Sequence, residues 1–132
     1  MAVPNLIGYA WNQTRHACLA TELKHANTHW SRLCGLMLTG RSDFGAGRGL
    51  WIAPCHGIHT FAMRFPIDVV YLDRERRVVY LRTGLQPWRV APVQLRATSV
   101  LELPENTLSA TGTCVGDQIE IVMGKKLESV PA

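Results

Sequence analysis

The chain has 132 residues, a length that fits one domain and can bury a sizeable core without disulfide or metal staples. Hydrophobic residues make up 47% and charged residues 18%, which excludes a disordered chain. No apolar run reaches the roughly 18 residues that a helical membrane span needs. The formal charge of +4 comes from eleven arginines and three lysines against ten acidic residues. That excess favours acidic or phosphate-bearing ligands, but without a recognition motif to organise it nucleic acid is disfavoured as a partner.

The opening, Met1 to Trp11, has neither a basic n-region nor a long apolar h-region, so the chain reads as cytoplasmic. One domain is expected, with 1–13 as an N-terminal segment, 14–123 as a β core and 124–132 as a frayed tail. Within the first segment, Asn5 to Ala10 is a short apolar stretch suited to an edge strand. Thr14 to Lys24 is a second strand. His29 to Leu38 carries Trp30, Leu33, Cys34 and Met37 at helical spacing, with Asn27 or Thr28 before it and Gly40 after it, which predicts a short helix. Ser42 to Gly49 is a loop rich in glycine.

From there the chain is strand-like. Gly49 to Pro54, Ile58 to Met63, Ile67 to Leu72, Val78 to Arg82, Ser99 to Leu103 and Gln118 to Val122 are the predicted strands. Asp73 to Arg76 is a polar turn joining two of them as a hairpin, and Arg74, Arg76 and Arg77 are expected to be solvated at its tip. Gly84 to Pro92, with Pro87 and Pro92, is expected to be irregular. Short strands at close spacing, with one helix in the N-terminal half, predict a mainly all-β fold, an antiparallel sandwich or jelly-roll-like barrel.

Several blocks recur in an order that identifies a family. Arg32-Leu-Cys-Gly-Leu-Met37 precedes Gly49-Leu-Trp-Ile, then Ile58-His-Thr-Phe-Ala-Met-Arg-Phe-Pro-Ile-Asp-Val-Val-Tyr-Leu-Asp73. Gln86-Pro-Trp-Arg89, Val100-Leu-Glu-Leu103 and Val115-Gly-Asp117 follow. The set resembles domain of unknown function 192, found in bacteria and archaea, in the branch reading HTF-x-MRFPIDV. The resemblance implies a β sandwich of jelly-roll type and carries no mechanism with it.

Asp68 is the most informative residue, because the strand Ile67 to Leu72 is apolar on both faces and a carboxylate between two buried faces must be answered. It can accept backbone N–H groups or an arginine and fix a turn, or it can act as a general base or hold a ligand. Arg64 and His59 are the basic groups nearest in sequence. Cys55, His56 and His59, with Asp68 as a fourth, are weak metal candidates, since their spacing fits no standard site; no cofactor is expected. Cys55 beside a histidine can also be read as a nucleophile with its base, but no helix N-terminus lowers its thiol pKa, and the four cysteines read more simply as reduced core residues. Trp88 and Arg89, between two prolines, form a pair that stacks on ligands, or else Trp88 closes one end of the sandwich. Glu102, alternating with Leu101 and Leu103, reads as a surface charge.

Three functions follow. The first is a binding domain whose polar pocket of His59, Arg64 and Asp68, bordered by Trp88 and Arg89, takes a small molecule, a glycan or a protein partner. The second is a hydrolase or lyase with Asp68 and His59 as the acid–base pair. The third is an assembly protein that pairs through an edge strand.

Overall fold

Runs of β-branched and aromatic residues bounded by polar turns settle into seven strands in the computed structural model, which describes residues 6–26, 44–60 and 63–127. They are β1 (Ile7–Asn12), β2 (Ala17–Ala26), β3 (Arg48–Ile52), β4 (Ile67–Leu72), β5 (Val78–Leu85), β6 (Ser99–Pro104) and β7 (Ile119–Met123). A short helix, α1 (Thr107–Thr111), precedes β7. The predicted helix at 29–38 lies outside the described residues.

The strands form one sheet in the order β5-β4-β6-β3-β2-β1-β7, curled into a half-barrel. The mostly β expectation holds, but two placements differ. β1 is not an edge strand: it is paired on both sides, with β2 and β7. The β2–β3 pair is parallel, while the other neighbours are antiparallel. Between those two strands the chain has residues 27–47, long enough for the crossover that a parallel pair requires. The predicted strand Ile58 to Met63 is also corrected, because 58–60 bond to a neighbouring loop instead of to the sheet.

Alternation along the strands sorts the core into two clusters. On the inner face Ala10, Leu23, Trp51, Val70, Leu72, Val78, Leu101, Leu103 and Ile119 pack together with Leu108 of α1. On the outer face Leu50, Ile52, Ile67, Val69, Tyr71 and Val100 pack under Phe44, Met63, Phe65, Ala91 and Ala97. β4 therefore lies between two cores, and all six of its residues are buried. At roughly 1.5–3 kcal/mol per fully buried aliphatic side chain, this strand anchors the domain.

The curl is fastened where the two edge strands meet. Arg77 and Gln118 form an antiparallel bridge, and the Val78 N–H donates to the Asp117 carbonyl at 2.9 Å. Beneath it the buried Asn12 amide donates to Thr113 Oγ1 and to Asp117 Oδ2, both at 3.0 Å. The same Asp117 oxygen accepts from Arg15 Nε at 3.0 Å and from the Cys114 N–H at 2.9 Å. Burial pushes the Asp117 carboxyl up, but the bonds from Arg15, Asn12 and Cys114 outweigh it and hold the group below its ordinary value. A carboxyl whose folded pKa is depressed stabilises the fold above its unfolded pKa, and that contribution is lost as pH falls through the folded one. Asp117→Asn is accordingly expected to cost about 1–3 kcal/mol at pH 7 and less near pH 3, below the ordinary carboxylate value. Urea titrations at both pH values check this; an equal loss at each would contradict the linkage.

Candidate functional site

The residues singled out in the sequence fall into two places on opposite sides of the sheet. Over the outer face, residues 55–60 run against 88–98 as an irregular antiparallel ribbon. Its bonds are Cys55 N–H to the Thr98 carbonyl, Gln94 N–H to His56 and Ala91 N–H to Ile58, each 2.9 Å. His59 forms a bridge with Val90 in this ribbon. Cys55 and Ile58 are half-buried against the outer core.

Thr60, fully buried, fixes the end of the ribbon. Its N–H donates to the Arg89 carbonyl at 2.8 Å and its carbonyl accepts the Trp88 N–H at 2.9 Å. Its hydroxyl donates to the Gln86 carbonyl at 2.6 Å and accepts the Arg89 N–H at 2.8 Å. Trp88 is thereby held at φ 62°, in the left-handed region that a bulky side chain enters only at a cost of about 1–2 kcal/mol. It does not close an end of the fold: the side chain is 63% exposed. Arg89 and Arg64 are exposed as well.

Asp68 belongs to the other side. It shares its face with Val70 and Leu72, turned toward the inner core and α1. Between Ile67 and Val69 the β4–β5 register shifts, so β5 carries a bulge, and Gly84 sits in it at φ 59°. The bulge frees the Gly84 N–H, which donates to Asp68 Oδ1 at 2.9 Å. Asp68 Oδ2 accepts the Leu108 N–H of α1, also at 2.9 Å. Asn106 makes no side-chain bond at the start of α1, so this carboxylate acts as its cap from across the fold. A hollow of about 250 Å³ borders it, lined by Thr83, Gly84, Glu105, Asn106 and Ser109. No cationic side chain is among those lining residues.

The structure thus brings His59, Trp88 and Arg89 into one ribbon and does not bring Asp68 to His59. Among the described residues no three His, Cys, Asp or Glu side chains gather to hold a metal, and Cys55 Sγ is directed to the Gly57 carbonyl at 3.0 Å. Cys114, expected in the core, is exposed. Glu102, expected on the surface, is buried: it lies opposite Leu50 and Val69 on the outer face, the face on which Phe44, Met63 and Phe65 also pack. Its Oε2 has no hydrogen-bond partner, and desolvation pushes the carboxyl up to about 8. It is turned away from Asp68, so the two carboxyls do not make a pair.

The profile of the family described as DUF192, uncharacterized ACR, matches residues 10–121. The chain belongs to the DUF192 family. Its curated relatives include UPF0127 proteins. The one from Pyrococcus horikoshii is 38% identical over 114 residues, covering 83% of this chain and 95% of the relative. The one from Thermococcus sibiricus is 29% identical over 126 residues, covering 92% and 79%. Among solved structures, a protein from Novosphingobium aromaticivorans superposes with a TM-score of 0.76 at 19% identity, over 87% of this chain and 84% of that one. A candidate transcription regulator from Sinorhizobium meliloti gives 0.72 at 16% identity, over 92% and 96%. At such identities the likeness is one of fold. No helix among the described residues is long and apolar enough to cross a membrane.

Sequence reading missed Thr60, although it stands inside the His59-Thr-Phe block of DUF192. A lone threonine between His59 and Phe61 has no distinctive pattern, and its role depends on a loop 26 or more positions away.

Proposed function

We propose that this DUF192 chain is a noncatalytic binding module that takes a protein segment presenting apolar side chains between carboxylates. The observation that carries this is Trp88, a bulky residue kept in a left-handed conformation with most of its surface in solvent. Strain of that kind persists where the surrounding bonds over-determine it and is concentrated at functional positions. The ridge continues along the ribbon with Val90, Val93 and Leu95, which are 64%, 66% and 86% exposed. Arg89 and Arg96, both exposed on the same ribbon, match acidic side chains. Four exposed apolar residues from 88 to 95 make a strip longer than a small ligand or a single sugar ring would use, which favours an extended peptide.

For the fold, the same reading takes the half-closed, jelly-roll-like barrel over a two-sheet sandwich, supported by one inner core shared among all seven strands. It takes the cytoplasm as location, where the thiols of Cys18, Cys55 and Cys114 stay reduced.

Selection of displayed random peptides on the purified chain tests the proposal. Enriched peptides are expected to combine aromatic or aliphatic residues with Asp or Glu, and Trp88→Ala is expected to weaken them at least tenfold, as about 1.4 kcal/mol or more at a central aromatic implies. Trp88→Gly suits the left-handed backbone and should leave the melting temperature within a few degrees of the parent while removing binding equally. Peptides that bind Trp88→Gly as tightly as the parent, or a failure to enrich any, would overturn it.

A further inference from the structure

Among the described residues only four buried side-chain polar atoms have no hydrogen-bond partner: His25 Nε2, Trp51 Nε1, Ser99 Oγ and Glu102 Oε2. Buried polar atoms in native proteins are nearly always satisfied, so each orphan asks for an explanation. Three of the four gather on the inner face at one end of the sheet. His25 on β2 lies directly across from Trp51 on β3. Trp51 pairs with Leu101 on β6, and Ser99, two residues before Leu101, shares its face and lies one diagonal step from Trp51. Glu102 alone is on the outer face.

A fourth strand connection supplies charge to the same spot. Asp73 Oδ1 accepts the N–H groups of Glu75 and Arg77 at 2.9 Å each, and this turn sets Arg76 at φ 66°. Its side chain is thereby not solvated at the tip as the sequence suggested. The Arg76 guanidinium lies 4.4 Å from the centroid of the Trp51 ring, and the His25 imidazole stacks on the same indole at 4.4 Å. Arg76 forms no ion pair with a carboxylate among the described residues. Burial holds His25 below its ordinary value; a bond with the Ala53 backbone opposes this, and the Arg76 charge adds to it.

We infer that His25, Trp51, Ser99 and Arg76 form a binding site for a small oxyanion, a carboxylate or phosphate group. The donors fit that class. Trp51 Nε1 can only donate, Ser99 can donate, and Arg76 offers a planar fork that matches an oxyanion bidentately. His25 Nε2 becomes a donor once the ring takes a proton, which an adjacent anion favours. The site is separate from the Trp88 ridge, since its residues stand on the inner face and not on the outer ribbon.

The test follows the Trp51 indole N–H and the His25 ring protons by NMR while sodium phosphate or sodium acetate is added at constant ionic strength, with chloride as the control. Either oxyanion is expected to shift the Trp51 N–H saturably, and binding should raise the His25 pKa by a few tenths or more, since protonation and anion binding favour each other. The two salts distinguish a phosphate site from a carboxylate site. Arg76→Gly keeps the left-handed turn and should weaken binding at least tenfold in a protein that still folds. A saturable shift of the same affinity in Arg76→Gly would overturn the assignment. So would the absence of any saturable shift with both salts, which is the result if water alone serves these atoms.

Discussion

Replacing Glu102 by Gln is expected to stabilise this protein at alkaline pH, by about 5 kcal/mol at most, and by only about 1 kcal/mol near pH 5. The carboxyl lies in the outer core with one oxygen unpartnered, and desolvation raises its pKa to about 8. The unfolded chain ionises the same group near its ordinary value of about 4.3. Between those two values the unfolded state has lost the proton and the folded state keeps it. Stability must then fall with rising pH, at about 1.4 kcal/mol per unit, and level off above pH 8. Gln has the same shape and no charge, so it removes the slope; Leu should do so as well, without leaving an amide to satisfy. Guanidinium titrations of parent and Glu102→Gln at pH 5, 7 and 9 read the effect directly. Parallel pH profiles for the two proteins would show that Glu102 does not titrate as described.

Asp68→Ala is expected to cost about 3–5 kcal/mol, a large part of the 5–15 kcal/mol that holds a domain of this size together. The substitution orphans the Gly84 N–H in the β5 bulge and the Leu108 N–H at the start of α1, two groups that have no other acceptor nearby in the described network. It also removes a negative charge from the first turn of α1. Asp68→Asn retains one carbonyl acceptor but turns an NH2 group toward a donor, so an intermediate loss of about 2 kcal/mol is expected. The melting temperature should drop by roughly 3 °C per kcal/mol. The informative companion measurement is peptide binding at a temperature where both variants are folded. Asp68→Asn should bind as the parent does, because the carboxylate faces the inner core and the Trp88 ridge stands on the outer ribbon. A fully stable Asp68→Ala protein that lost binding would reverse the roles given to these two places.

Glu102 and Asp68 also show what a sequence can and cannot say about a buried carboxyl. Ile67-Asp-Val-Val-Tyr-Leu72 is apolar at every other position of the strand, so the demand for a partner to Asp68 is visible in the string of letters. Leu101-Glu-Leu103 has the alternation of a strand with one wet face, so Glu102 reads as exposed. Both patterns record which residues share a face. Neither records what lies above that face, and on the face of Glu102 the packed residues include Phe44, Met63 and Phe65, far away along the chain.

The same division runs through the whole protein. Most of the strands, the hairpin turn at Asp73 to Arg76, the mostly β class and the DUF192 blocks were legible in the sequence, because each depends on neighbours within a few residues. The parallel β2–β3 pair, the bulge at Gly84, the laying of Arg76 across Trp51 and the pinning of Trp88 by Thr60 were decided only in the tertiary structure. Each joins residues more than ten positions apart, and the pairing is fixed by which surfaces can be buried together and which N–H groups then need acceptors. Local periodicity carries the first kind of information and is silent on the second.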